Sequence, residues 1–362
     1  MSGIWPPDVG GPASHAPELA AYLRARGHEV EALTTAAAPP AAQAYPVRYV
    51  SRRLPPGIRH GAGVALLAAR ARAAEVVYAT GMLGRASLGA LLARRPLVVK
   101  LTADPAYERA RRLGLTHASL EEFQLRPGAA SLPLRLARDA DLRRAAHLIT
   151  PSSYLHELAL GWGVPPERAS VLPNPTPPLP TLPARAELRR RFGIEGPVLV
   201  FAGRLTAQKA LQAGIEAARG AGIELLIAGE GPERAALERL GHGRFLGPLP
   251  RRSVLELFAA ADAVLLSSAW ENFPHVLVEA LALGTPVIAT RVGGVAEVVR
   301  DGENGLLVPP GDVGALRDAI VRFFSSPPLA ASLRAAAAAS VASYSPERVY
   351  TALEEILLDA AA

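Results

Sequence analysis

Short apolar runs rich in Val, Ile and Leu alternate along the chain with longer stretches whose apolar positions recur at helical spacing. The runs are "EVVYAT", "RPLVVKLT" and "HLITPSS" in the first half, then "PVLVFAGR", "ELLIAGEG", "AVLLSS", "PVIATRVGG" and "GLLVPPG" in the second. Each is followed by Gly, Ser or Pro and then by a helical pattern. Runs of this kind, apolar on both faces, predict parallel strands covered by helices. The pattern occurs twice, which predicts an α/β chain of two Rossmann-like, doubly wound domains.

Prolines at 173, 175, 177, 178, 180 and 183 interrupt the pattern between the halves, where neither a helix nor a central strand accommodates them. The expected organisation is a first domain over 1–176, a Pro-rich linker over 177–184, a second domain over 185–343 and a closing segment over 344–362. In that segment Val349, Leu353, Ile356 and Leu357 form an apolar stripe behind Pro346 at a first helical position. Such a stripe needs a partner surface, and the first domain is the expected one. Two facing sheets of this type bring the carboxyl ends of their strands to a shared cleft, where nucleotides bind.

Half of the 362 residues are hydrophobic, ample for two cores. No apolar run approaches the roughly 18 residues of a membrane span, and the first residues carry no basic-then-apolar leader. The expectation is a soluble, cytoplasmic protein. The absence of cysteine excludes disulfides, thiol catalysis and thiolate metal sites. Arginine outnumbers lysine 37 to 2, a bias that codon usage accounts for, yet the charge is uneven. Residues 1–178 carry 21 basic and 13 acidic side chains, the remainder 18 and 20. A basic first half can attract an anionic acceptor, a membrane surface, with the protein peripheral at the inner face and the acceptor lipid-linked, or nucleic acid.

The chemistry concentrates in the loops of the second half. In "PVLVFAGRLTAQKA" a strand runs into Gly203, Arg204 and Lys209, and a guanidinium with an ammonium beside a strand-end glycine suits a diphosphate. Two solvated charges opening a helix would look the same, but one of the chain's two lysines falls here. "LLIAGEGP" places Gly229 and Gly231 in a tight turn, a weak signal alone. The turn from Gly247 to Pro250, with Leu249 in it, offers backbone groups to the edge of a base. In "AWENFPHVLVEALALGTPVIAT", Pro274 at a first helical position leaves the amides of His275 and Val276 at the positive end of a helix. Glu271 then lies in the loop, and Glu279 stands about 7.5 Å along the helix axis from it. An inert, exposed Glu279 is the alternative, since it sits at the margin of the apolar face.

These motifs, with "VGGVAEVV" and "DGENGLLVPPGD", resemble the donor-binding half of glycosyltransferase family 4, whose members are retaining enzymes of the GT-B fold. "ENFPHVLVE" matches the family signature of two glutamates separated by seven residues. "WPPDVGGPASHAPELAAYLRARGHEVEALTT" and "ITPSSYLHELALGWGVPPERASVLPNP" extend the likeness, more loosely, over the first half. The resemblance implies transfer of a hexose-type sugar from a nucleoside diphosphate sugar, with retention and without a metal or other cofactor. It also implies roles. Arg204 and Lys209 neutralise the diphosphate, Glu279 takes the ribose hydroxyls and Glu271 the hexose. Asn272, Phe273 and His275 belong to the same donor contact. Gly10 and Gly11 close onto the diphosphate from the first domain.

The chain departs from the family in two places. Members begin with an apolar strand ahead of the glycine loop, whereas "MSGIWPPDVGG" starts almost at the loop; either this strand is encoded ahead of Met1, which is the expectation, or the chain has lost a central strand and its first domain is weakened. Many members also carry an acceptor-side histidine after the strand matching "LVVKLT", where this chain has "KLTADPAYERARR". Asp104 and His15 are the remaining candidates for an acceptor-side catalytic role, His15 alternatively holding its loop by a hydrogen bond. Two rivals stand beside the transferase, a nucleotide-sugar epimerase on the same architecture and a non-catalytic sugar-nucleotide-binding protein. Neither they nor the transferase involves nucleic acid.

Overall fold

A computed structural model describes residues 1–362 apart from 7, 9, 10, 127 and 177, and the side chains of residues 11–14 also lie outside the description. The chain divides into two compact units, Met1–Pro173 with Val349–Ala362, and Asn174–Arg348.

The first unit begins with α1 (Gly11–Ala25), β1 (Ala32–Ala36), β2 (Val47–Ser51), α2 (Pro56–Ala71) and β3 (Val77–Ala79). It continues through α3 (Leu83–Ala93), β4 (Leu97–Lys100), α4 (Pro105–Arg112), α5 (Leu120–Leu125) and α6 (Leu132–Arg144). Then come β5 (His147–Thr150), α7 (Ser153–Gly161) and β6 (Ala169–Val171). The second unit opens with α8 (Arg185–Arg191), β7 (Val198–Ala202), α9 (Leu211–Ala221), β8 (Glu224–Ala228), α10 (Arg234–Glu238) and β9 (Arg244–Gly247). It proceeds through α11 (Arg251–Ala260), β10 (Ala263–Leu266), α12 (His275–Ala282), β11 (Val287–Thr290), α13 (Val295–Val298) and β12 (Gly305–Val308). Helices α14 (Val313–Ser325), α15 (Pro327–Ser340) and α16 (Pro346–Ala361) follow.

The second unit holds one parallel sheet in the order β12-β11-β10-β7-β8-β9, the doubly wound Rossmann order. Strand β7 shows why it is two-sided. Val198, Val200 and Ala202 enter one core cluster, Leu199 and Phe201 the other, so alternate side chains feed helices on opposite faces. The chain reverses its direction of strand addition between β7 and β10, which makes the loops after these two strands the flanks of the switch point.

The first unit's sheet is in two parts, β1-β2 and β3-β4-β5-β6, all parallel. Residues 1 and 2 join them: the Ser2 amide donates to Leu33 O (2.9 Å), the Thr80 amide donates to Met1 O (2.9 Å), and Ser2 bridges Thr80 in parallel. A cavity of about 990 Å3, lined by Trp5, Leu19, Leu33, Leu67 and Val77 among others, lies alongside.

The proline stretch is fastened to the second unit. Asn174 Nδ2 donates to His275 Nε2 (3.1 Å), the Thr176 amide to Tyr344 O (2.6 Å), and Leu182 packs on the core. The division thus falls ahead of most of the prolines, at 173/174, whereas a Pro-rich linker over 177–184 was expected. The apolar stripe of α16 packs in the first unit, with Val349, Tyr350, Leu353 and Leu357 against Leu19, Val98 and Ile149. Arg26 Nε and His28 Nε2 bind the Glu354 carboxylate at 2.8 and 2.6 Å. Among the described residues, no helix is long and apolar enough to cross a membrane.

Candidate functional site

The loops leaving β7, β8, β10 and β11 at their carboxyl ends are tied into one structure. Gly229 shows how closely: its φ is +147°, and a Cβ there would lie 1.9 Å from Gly203 O. At Gly231 a Cβ would lie 2.2 Å from Leu205 O. The Gly203 amide donates to Ala228 O (3.0 Å) and the Leu205 amide to Glu230 O (2.9 Å). Gly229 and Gly231, the glycines of the expected tight turn, are therefore needed for loop to pack on loop. Gly203 is the reverse case. Its added Cβ would meet only the side chains of Phe201 and Lys209, at 3.4 Å or more, an ordinary packing distance.

Glu271 sits at the centre of this structure. Its carboxylate pairs with the Lys209 ammonium, and Oε1 also accepts from Ser268 Oγ at 2.8 Å. Its own carbonyl accepts the Gly294 amide (3.3 Å) from the loop after β11. Ser268 is held in turn, its carbonyl accepting Thr290 Oγ1 at 2.6 Å. Gln208 Nε2 donates to Trp270 O (3.1 Å), and Gln208 O accepts the Ala269 amide (2.8 Å). The loops after β7 and β10 are so laced together that Glu271, only 6% exposed, remains ionically paired. A buried carboxylate without a partner would be costly. Arg204, beside this pair in sequence, is exposed, and its guanidinium has no carboxylate partner among the described residues.

Glu279 lies on α12, eight residues on. Arg251 Nη2, at the start of α11, donates to its Oε1 at 3.1 Å. Burial raises the Glu279 carboxyl above the ordinary carboxylate range, and Arg251 pulls it part of the way back. Helix α12 begins at His275, with Pro274 as its cap and not its first residue. Leu249 lies in the β9–α11 turn, partly buried against the core. Asn272 Oδ1 is a buried atom with no hydrogen-bond partner among the described residues. The Phe273 ring is 8% exposed and packs edge-on against His275 and Tyr344, so it is core, and only its backbone remains for a donor. The His275 ring is fixed by Asn174, as above.

The first-unit candidates fare differently. Asp104 is 1% exposed and fully engaged: it caps α4 by accepting the amides of Ala106 (2.8 Å) and Tyr107 (3.2 Å). It also accepts Gln124 Nε2 (2.9 Å) and Arg138 Nη1 (2.7 Å). Arg138 is itself buried, 3.8 Å from the Trp162 ring centroid. The expected catalytic role for Asp104 is corrected to a structural one, since no lone pair is left to face a substrate. For His15 the structure fits the alternative reading, a histidine that holds its surroundings by a hydrogen bond. It is buried, Nε2 bonded to the Tyr78 hydroxyl at 3.1 Å and the ring tilted over Tyr350 at 5.6 Å, so it packs α1 against α16. Gly10 lies outside the described residues, and Gly11 is the first residue of α1.

Sequence reasoning missed Ser268 and Arg251, which hold the two glutamates. Ser268 ends the "AVLLSS" run three residues before Glu271, a spacing at which a hydroxyl reaches back to a carboxylate. Nothing in the sequence singles out Arg251 among 37 arginines.

The two halves match two family models, "Glycosyl transferase 4-like domain" over residues 10–175 and "Glycosyl transferases group 1" over 184–340. The chain belongs to the glycosyltransferases of the family 4 type and has the GT-B class of fold, two Rossmann-like domains. The alpha-D-kanosaminyltransferase of Streptomyces kanamyceticus is 30% identical over 222 residues, 58% of this chain and 54% of that protein. A D-inositol 3-phosphate glycosyltransferase of Corynebacterium urealyticum is 39% identical over 164 residues, 39% of this chain and 38% of that one. The chain spans about half the length, or less, of these curated relatives. HepE of Anabaena, solved in complex with UDP-glucose, aligns with a TM-score of 0.78 over 99% of this chain and 98% of its own. Its identity is 23%, a likeness of fold.

Proposed function

We propose that the protein is a retaining glycosyltransferase that moves a hexose-type sugar from a nucleoside diphosphate sugar to a hydroxyl of its acceptor. The observation that carries this reading is the Lys209–Glu271 pair at the switch point of the second sheet, with the unpaired Arg204 beside it. Ligands of such sheets bind at that point. A diphosphate arriving there meets two cations, and it competes with Glu271 for Lys209. The exchange releases the carboxylate toward the sugar. Glu279, short of hydration and held by one arginine, is set to accept from ribose hydroxyls.

In the transfer the bond from the anomeric carbon to the diphosphate oxygen breaks, and a bond to the acceptor oxygen forms on the same face. The acceptor proton leaves to the released diphosphate. Arg204 and Lys209 stabilise the negative charge that grows on that leaving group, and Glu271 the positive charge on the sugar. Because fixed cations meet the diphosphate, divalent metal is not required. The UDP-glucose complex of HepE makes uridine donors the first to test. The basic first half supports an anionic acceptor, or one presented at a membrane surface with the protein peripheral to it.

The test is incubation with UDP-, GDP- and ADP-sugars in chelator, with the products followed by proton NMR. One donor should release its nucleoside diphosphate and a free sugar that appears first as the donor's own anomer. Appearance of the opposite anomer contradicts retention, and a new sugar still attached to the nucleotide identifies an epimerase.

A further inference from the structure

The segment 52–95 of the first unit carries eight arginines and a single acidic residue, Glu75. Three of the arginines meet at the carboxyl end of the sheet. Arg52 follows β2, and its guanidinium is paired with Asp8. Arg59, on the first turns of α2, donates from Nη1 to Arg52 O at 3.2 Å. Arg85, on the first turn of α3 just after β3, lies across α2 at Gly63, its Cδ 3.2 Å and its Nη1 3.9 Å from where a Cβ would be. Residues 59 and 63 are one helical turn apart on the same face, which brings the Arg85 side chain into the neighbourhood of Arg59, near enough for the two charges to repel.

Neither Arg59 nor Arg85 has a carboxylate partner among the described residues, and Arg85 Nη1 is buried without any hydrogen bond there. Burial, and then the neighbouring Arg59, lower the proton affinity of Arg85. The position is also wrong for a cation on helix grounds. The first turn of α3 has no acidic residue and no side-chain cap, and a positive charge there opposes the helix dipole. Three unfavourable terms converge on one guanidinium, and a dianion would reverse all of them.

We propose that Arg59 and Arg85 form a binding site for a phosphate group carried by the acceptor. Two forked guanidinium groups without a counter-charge match a phosphomonoester, which carries nearly two negative charges, better than a carboxylate with one. The assignment to the acceptor rests on the transferase reading, in which the first unit receives that substrate. The anion site itself does not.

The experiment titrates inorganic phosphate, as probe, into the full chain and into Arg85→Gln, Arg59→Gln and Arg204→Gln, with uridine diphosphate titrated separately. Saturable phosphate binding should weaken about tenfold or more in both first-unit variants, as for loss of one charge-assisted bond, and should persist in Arg204→Gln. Uridine diphosphate affinity should be unchanged in Arg59→Gln and Arg85→Gln. Phosphate that does not saturate the parent chain overturns the site, as does phosphate affinity that falls only in Arg204→Gln. Failure of uridine diphosphate to bind any of the four proteins counts against the donor reading instead, and the phosphate result is read independently of it.

Discussion

Glu271 and Glu279 have different partners, and the difference gives them separable kinetic signatures. Glu271 neutralises Lys209, and in the proposed donor complex a diphosphate takes its place, so Glu271→Gln should lower turnover and tighten the binding of bare nucleoside diphosphate, which no longer competes with a carboxylate. Glu279→Gln should chiefly raise the donor Michaelis constant and weaken the bare nucleotide. Calorimetry with the nucleotide and steady-state kinetics with the donor read the two effects. Equal nucleotide affinity in both variants would show that neither carboxylate faces the donor. The sequence made both glutamates visible, because seven intervening residues is a local pattern, but the partner of Glu271 lies 62 positions away and is set by the fold alone. Asp104 is the opposite lesson. Asp followed by Pro is a helix-start signal, and "ADPAYERA" carries it, yet the expectation for Asp104 was catalytic and passed over the cap.

At the scale of elements, the glycine-rich strand ends were legible and their purposes were not. Gly203 and Gly229 look alike in sequence, yet a Cβ at the first would make ordinary contact with the Phe201 and Lys209 side chains and one at the second would press on a carbonyl. Gly203→Ala should leave stability within about 0.5 kcal/mol of the parent, because the methyl meets only the Phe201 and Lys209 side chains at ordinary contact distance. Gly229→Ala should destabilise the second unit by several kcal/mol, since its φ is +147° and its Cβ collides with the backbone. Urea unfolding of both variants checks the contrast, and equal stabilities would contradict it. The strands that escaped the sequence pattern are β1, β2, β6 and β9. Strands β2, β6 and β9 are short or half exposed, as in the "VRYVS" of β2, and β1, though buried, is built of Ala and Thr with a single Leu, so the apolar signal is faint in all four. The buried strands β7, β10 and β11 stood out because helices cover both of their faces.

At the scale of the molecule, both units were legible as doubly wound from the repeated strand–turn–helix rhythm. The site of their division was not, because hydrogen bonds from Asn174 and Thr176, rather than composition, fasten the proline stretch to the second unit. Lys100 ends β4 with its ammonium fully buried, donating to Leu172 O (3.2 Å) and Pro173 O (3.3 Å), and burial lowers its pKa from 10.5 to about 7. Between these values the unfolded chain binds the proton that the folded chain has lost. Stability should therefore rise with pH from about 7 to about 10.5, by a few kcal/mol at most, and fall back as pH drops toward 7. In Lys100→Met this slope should vanish from the unfolding curves, and an unchanged slope would contradict the assignment.

The central claim is that a nucleoside diphosphate sugar is held by the cations after β7. Calorimetric titration of the preferred donor into the parent chain and into Arg204→Ala, Lys209→Ala and the double variant, all in chelator, tests it most directly. Each single change should cost about 1.5–3 kcal/mol, roughly 10- to 150-fold in affinity, and the double variant should bind more weakly than either. Donor affinity that is the same in all four proteins would contradict the account.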